Sequence, residues 1–165
     1  MAHLGLSPGF WRGLRVLVTG HTGFKGGWLT LWLQSLGAKV YGFALAPATQ
    51  PALFHTAAIA RGMAHHLGDL RNPVAVQEVL RDVQPDIVFH LAAQPLVRES
   101  YRDPVGTLAT NVMGSVHLFE AIRQTPSVRA LLVITSDKCY QNQEWPWPYR
   151  SEEHTSELQS LTNLV

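Results

Sequence analysis

The sequence predicts an α/β fold, a doubly wound parallel sheet cut short after about its fifth strand. Three observations predict it: short apolar, β-branched runs alternate with helical stretches, each run reads as continuously apolar, and the first passes through a glycine-rich turn straight into a helix. Parallel strands need crossover connections, and helices on both faces bury the strands on both sides. That removes the polar alternation of a half-exposed sheet.

In order, Arg15–Gly20 (RVLVTG) is a buried strand ending at glycine. From Phe24 to Leu36 apolar residues recur at helical spacing (Trp28, Leu29, Trp32, Leu36), and Gly37 supplies the stop. Trp28 and Trp32 share one face, which is expected to pack on the sheet. KVYGFAL, 39–45, is the second strand, followed by a proline-rich loop around Pro47 and Pro51; Ala64–Leu67 is the third, ending at Gly68–Asp69. Asn72–Pro73 starts a helix through Asp82, with proline in the first turn, where its missing N–H costs nothing. DIVFHLAA, 86–93, is the fourth strand, Val105–Arg123 a long helix, and ALLVITS, 130–136, the fifth strand. Right-handed crossovers then give the strand order 3-2-1-4-5.

A chain of 165 residues suits one domain, and 46% hydrophobic with 15% charged residues supplies a real core. The net charge of +1 comes without basic or acidic blocks, which argues against a nucleic-acid or membrane-surface partner. The single cysteine, Cys139, excludes an internal disulfide framework and fits a reducing compartment. MAHLGLSPGFWR has neither a basic start nor a long apolar run, so no signal peptide is expected. No run approaches the roughly 18 apolar residues of a membrane span. A cytoplasmic protein is expected. So is the absence of a metal site, since His65 and His66 are adjacent rather than at ligand spacing, and His90 lies inside a strand as a packed core histidine.

TGHTGFKGG carries the chemistry. Gly20, Gly23 and Gly26 follow the first strand and open the helix, as a dinucleotide site requires: a tight turn, close backbone approach to a pyrophosphate, and free N–H groups at a helix start. A P-loop is excluded, because Lys25 precedes Gly26 instead of following a glycine. The acid about 20 residues on that binds an adenine ribose is missing. Strand two ends GFALAPATQ, with neither acid nor arginine, and leaves the choice between NAD and NADP open. Asp69 either reaches the adenine end of a cofactor or caps the turn after strand three.

VTGHTGFKGGWL, GDLRNP, VFHLAAQPLVRESY, TNVMGSVHLFEA and VITSDKCYQNQEW together resemble the extended short-chain dehydrogenase/reductase family over about residues 10–149. Within it they look closest to the nucleotide-sugar 4,6-dehydratases of the CDP-sugar branch. The resemblance implies a Rossmann-like domain and a lyase that uses NAD as a retained prosthetic group. Its substrate would be a nucleotide sugar, CDP-glucose first among them, in polysaccharide biosynthesis, and the full-length enzyme would be a homo-oligomer. Hydride would leave C4 for NAD, water would be lost across C5–C6, and the hydride would return to C6.

Matched by position, Gly20, Gly23, Phe24 and Gly26 fall on the pyrophosphate turn, Asp69 and Leu70 on the adenine contact, and Leu91, Ala92 and Ala93 beside the nicotinamide. Asn111 matches a structural residue of the long helix; Gln94 and Arg98 sit just past strand four, where a substrate pyrophosphate could reach, although an exposed loop arginine needs no function. Ser136 corresponds to the hydroxyl that binds the sugar's 4-oxygen, Asp137 to the acid that protonates the departing 6-hydroxyl, and Lys138 to the C5 base. Related dehydratases carry glutamate at that last position. A lysine base must lose its proton far below the reference value of about 10.4. Desolvation favours that loss and the neighbouring Asp137 opposes it, so Lys138 alternatively orients substrate. The bland alternative for both charges is a solvated strand end.

The superfamily's Tyr-x-x-x-Lys pair is absent: four residues before Lys25, Lys39 and Lys138 stand His21, Ser35 and Ile134. RSEEHTSELQS, from Arg150, reads as an in-frame translation of a sequencing-library adapter, so residues 150–165 are expected to be a non-native tail on an incomplete domain of residues 10–149. Such a chain is expected to leave strand five as an apolar edge, to be poorly soluble and to be inactive as a dehydratase. Two rivals remain: another nucleotide-sugar epimerase or dehydratase of the same family, and a non-catalytic dinucleotide-binding module.

Overall fold

The structure, a computed structural model, describes residues 9–135 and 144–147. The chain divides into two compact units, Met1–Val133 and Ile134–Val165. The sheet and every helix described below belong to the first.

Its strands are β1 (Arg15–Thr19), β2 (Lys39–Ala44), β3 (Ala64–Leu67), β4 (Ile87–His90) and β5 (Ala130–Val133). They form one parallel sheet in the order β3-β2-β1-β4-β5, as the sequence predicts. β1 lies at the centre, with Val16 beside Val40 on one side and Ile87 on the other. Alternate residues of the same strands serve opposite faces. Leu17, Phe43 and Val88 pack with Val76, Val79 and Leu80 of α3 (Pro73–Val83) and with Leu118 and Ala121 of α6 (Gly114–Arg123). Val16, Val18, Val40 and Ile87 pack with Leu33 and Leu29 of α1 (Phe24–Ser35). Two cores on opposite faces make the sheet doubly wound.

Leu118 is fully buried between α6 and the sheet. Leu118→Ala is expected to cost about 2–5 kcal/mol, read as a lower midpoint in urea with an unchanged slope.

Local chemistry accounts for the element ends. Asn72 caps α3, its side-chain oxygen accepting from the Val74 and Ala75 N–H groups at 3.1 and 3.3 Å, ahead of Pro73. At the amino edge, the Asp86 carboxylate accepts from the Arg15 N–H at 2.9 Å and tethers β4 to β1.

Several expectations need correction. Trp28 and Trp32 do not pack on the sheet; they are 55% and 60% exposed. α1 buries Gly26, Gly27, Thr30 and Leu33 instead. Gly26 lets its backbone press on the Gly20 turn and Gly27 makes room for Ile59 and Leu53, which turns the bulky Phe24, Trp28 and Trp32 outward, and in a helix apolar nearly all round periodicity cannot choose the face. The proline-rich connection contains α2 (Leu53–Thr56) and a 3₁₀ turn (Ile59–Gly62), and α4 (Val97–Arg102) follows the fourth strand. The long helix is interrupted: α5 (Pro104–Leu108) leads into a π turn (Ala109–Met113), closed by the Gly114 N–H on the Ala109 carbonyl, before α6. Strands four and five are shorter than predicted. Edge strand β3 is exposed rather than buried, whereas β5 is the exposed apolar edge expected of it, with Leu131 and Leu132 36% and 45% exposed.

Candidate functional site

Parallel strands deliver their carboxyl ends to one edge of the sheet, where open α/β folds bind ligands. Backbone bonds fasten those exits together. The Gly20 N–H donates to the Phe43 carbonyl at 2.9 Å, Gly68 to Ala44 at 2.9 Å, and Leu91 to Thr19 at 3.3 Å. Thr22 Oγ1 adds a bond to the Leu45 carbonyl at 2.9 Å. The glycine turn, the Gly68–Leu70 exit and the Leu91–Ala93 segment therefore share one edge.

The turn has a shape that only glycine permits. Gly20 has φ +75°, and a Cβ there would stand 2.8 Å from the Ala92 nitrogen. A Cβ on Gly26 would collide with the Gly20 carbonyl oxygen and stand 3.0 Å from His21 Cα. Helix α1 thus begins pressed against the turn itself. Its N-cap, Gly23, is extended and brings no side-chain hydrogen bond to the first turn. A small-residue turn before a helix start without a capping side chain is what a pyrophosphate needs in order to meet backbone N–H groups and the positive end of the dipole, so these residues fit a dinucleotide. Phe24, 71% exposed, opens the helix.

The Asp69 carboxylate caps its own turn. Its carboxylate accepts from the Arg71 N–H at 2.9 Å and from the Arg71 guanidinium at 2.6 and 2.8 Å. The side-chain bond from Arg71 holds its pKa below the usual value. Leu70 puts its side chain in the core, and its carbonyl accepts from His117 Nδ1 at 2.9 Å. Leu91 and Ala92 pack against opposite cores, and Ala93 is exposed.

Past β4, Asn111 behaves as the structural residue the resemblance implies. Its amide clamps the Gln94 backbone, accepting from Gln94 N–H at 2.8 Å and donating to Gln94 O at 3.0 Å. The Gln94 side chain serves its own loop, bonding Leu96 and Thr107. Arg98 is exposed. Ser136, Asp137 and Lys138, with Cys139, lie outside the described residues.

Two buried histidines had no site role assigned from the sequence. His90, buried as expected of a core histidine, has Thr19 Oγ1 2.7 Å from its Nδ1 and Ser115 Oγ 2.9 Å from its Nε2. His21, inside the glycine turn, is fully buried, and neither ring nitrogen has a hydrogen-bond partner among the described residues. It fills a slot that Gly42 opens, edge-on to Phe54 at 5.3 Å and tilted to His65 at 5.6 Å. Burial pushes its pKa down to about 4; His65 and then His66 add to this, and the Phe43 carbonyl opposes it. The one cue in the sequence is a lone imidazole between glycines. No cluster of three or more metal-ligating side chains occurs among the described residues, and no helix among them is long and apolar enough to cross a membrane.

The family model for GDP-mannose 4,6 dehydratase matches residues 17–157. The chain is 51% identical over 148 residues to the CDP-glucose 4,6-dehydratase of Salmonella typhimurium, a match covering 90% of the chain and 41% of that relative. It is 36% identical over 110 residues to the dTDP-glucose 4,6-dehydratase of Xanthomonas campestris, covering 65% of the chain and 31% of the relative. Among solved structures, the UDP-glucose 4-epimerase of Thermus thermophilus in complex with NAD superimposes with a TM-score of 0.65 at 26% identity, over 92% of the chain and 50% of the epimerase. The corresponding epimerase from Stenotrophomonas maltophila, with bound NAD, gives 0.72 at 23% identity over 92% and 48%. The chain thus spans less than half the length of the curated relatives cited.

Proposed function

The chain belongs to the GDP-mannose 4,6 dehydratase family, and from that membership we propose that it is the NAD-binding portion of a nucleotide-sugar 4,6-dehydratase whose substrate is CDP-glucose. The observation that carries the cofactor is the glycine turn, where Gly20 and Gly26 leave no room for a Cβ at the start of α1. The 51% identity to the Salmonella typhimurium enzyme supports CDP-glucose over the dTDP- and GDP-sugars.

In this reading NAD supplies a hydride acceptor for C4 and a hydride donor for C6. The chain's own residues divide the rest. Gly20, Gly23 and Gly26 admit the pyrophosphate, the start of α1 offsets its charge, and Leu91–Ala93 form a wall on the nicotinamide side. Ser136 donates a hydrogen bond to the sugar's 4-oxygen, and Asp137 gives a proton to the departing 6-hydroxyl, so that oxygen leaves as water. Lys138 takes the C5 proton or orients the sugar. Asp69, held by Arg71, keeps a lone pair free to accept from the adenine end of the cofactor.

The test exchanges segments. Residues 17–147 of this chain replace the matching part of the Salmonella typhimurium enzyme, and products from CDP-, dTDP- and GDP-sugars are weighed by mass spectrometry. The expected result is loss of one water from CDP-glucose, with Asp137→Asn lowering turnover about a hundredfold to ten-thousandfold. A chimera that folds and binds NAD but dehydrates nothing counts against the enzyme reading and for a binding module. Preference for another nucleotide counts against CDP-glucose alone.

A further inference from the structure

Leu91–Gln94 runs between β4 and α4 with one backbone bond to β1, from the Leu91 N–H to the Thr19 carbonyl at 3.3 Å, yet it forms the wall against which the glycine turn rests. Something other than regular structure must hold it. Four polar side chains do so, and their hydrogen bonds can be directed by counting protons. Thr19 Oγ1 accepts from both the Leu91 and Ala92 N–H groups, each at 3.2 Å. A hydroxyl has one proton and two lone pairs, so the Thr19 proton goes to the third neighbour, His90 Nδ1, at 2.7 Å. Nδ1 is then an acceptor, and a neutral ring carries its proton on Nε2. Nε2 donates to Ser115 Oγ at 2.9 Å, and Ser115 donates its own proton to the Asn111 carbonyl at 2.7 Å. The Asn111 amide holds the far end of the segment at Gln94.

The chain of bonds therefore runs one way, from the Leu91 and Ala92 amides through Thr19, His90 and Ser115 to the π turn. Its two ends grip the two ends of the same wall. All four side chains are buried or half-buried, so water replaces a lost partner poorly and a reversed hydroxyl leaves a donor facing a donor. Phe119 closes the ring in edge-on at 6.5 Å.

We propose that His90 is a positioning residue of the dinucleotide site: held as the Nε2–H tautomer, it orients the Thr19 hydroxyl and so fixes the Leu91–Ala93 backbone against the glycine turn. This rests on the dinucleotide reading above. His90 touches no ligand in this account; it acts through Thr19. Its hydrogen-bonding pattern, one acceptor toward Thr19 and one donor toward Ser115, is the property that matters.

The experiment has two parts. Long-range proton–nitrogen correlation spectra of the unmodified chain report the imidazole tautomer, and NAD titration with amide hydrogen exchange compares the unmodified chain with His90→Phe and His90→Gln. The expected results are a protonated Nε2, about tenfold weaker NAD binding in His90→Phe with faster exchange at Leu91 and Ala92, and recovery to within about threefold in His90→Gln, which keeps one donor and one acceptor. A protonated Nδ1 overturns the proposal whether or not any variant folds. So does a folded His90→Phe with unchanged affinity and exchange, or a Gln variant no better than Phe. If the unmodified chain binds no NAD, the dinucleotide reading falls and takes this proposal with it. That failure is distinct, because it shows before any substitution is made.

Discussion

Gly26→Ala is expected to weaken NAD binding by about a hundredfold or more, about 2.7 kcal/mol, and to destabilise the fold by about 1–3 kcal/mol. The new methyl group meets backbone on every side: the Gly20 carbonyl oxygen, the Gly20 carbonyl carbon at 2.8 Å and His21 Cα at 3.0 Å. No flexible side chain can yield, so either the start of α1 moves away or the turn opens. Both changes withdraw the N–H groups that face the pyrophosphate. Gly23→Ala is the control. Its Cβ lies 3.3 Å from the Gly20 oxygen, a crowding that a few tenths of an ångström relieve, so its loss of affinity is expected to be much smaller. Calorimetric NAD titration and urea unfolding of both variants decide the point. Unchanged binding in Gly26→Ala rules out the close approach as the basis of the site.

The same turn shows why sequence carries some features and not others. Glycine spacing after an apolar strand survives translation into structure, because both partners lie within a few residues of each other. The strand order was legible for a similar reason: short crossovers and the right-handed rule leave few alternatives. The orientation of α1 was not, since a stripe of Gly26, Gly27, Thr30 and Leu33 competes with a stripe of tryptophans and only the packed distance decides. Residues 53–62 lack a periodic apolar run, which hid a short helix and a 3₁₀ turn.

The polar network was hidden by sequence distance. Thr19 and His90 are 71 residues apart, and Ser115 lies a further 25 along. Each is a lone polar residue in apolar surroundings, and none announces a partner. Asp69 shows the converse case, where sequence left two roles open and Arg71, two residues on, settles which bonds the carboxylate makes. Ser136, Asp137 and Lys138 rest on the resemblance alone.

The folded chain is expected to lose about 3 kcal/mol of stability as pH falls from about 6.5 to about 4, through His21. Its pKa is 6.5 when unfolded and about 4 in the fold, a gap worth about 3 kcal/mol. Because the folded value is the lower one, the unfolded chain binds more protons between those limits. The stabilisation is therefore complete above about 6.5, declines as the solution is acidified, and is gone below about 4. The groups facing the ring explain why protonation is opposed. Phe54 and Met63 are apolar, His65 and His66 oppose a charge on the ring, and the Phe43 carbonyl only partly offsets them. His90, lowered by burial, adds a change of the same sign. The carboxylates of Asp69, Asp86 and Glu120 have pKa values depressed below 3.8, 3.8 and 4.5, so their losses fall at lower pH and leave the upper window to the histidines. His21→Met separates the cause: an apolar, adaptable side chain of similar size fills the slot beside Gly42 and cannot titrate. Urea unfolding is expected to find it within about 1 kcal/mol of the unmodified chain near pH 8, and about 2 kcal/mol more stable near pH 5. An equal pH slope in both proteins would exclude His21 as the source. A flat profile in the unmodified chain would mean that the ring finds a partner for its proton, and that the glycine turn tolerates a charge at its centre.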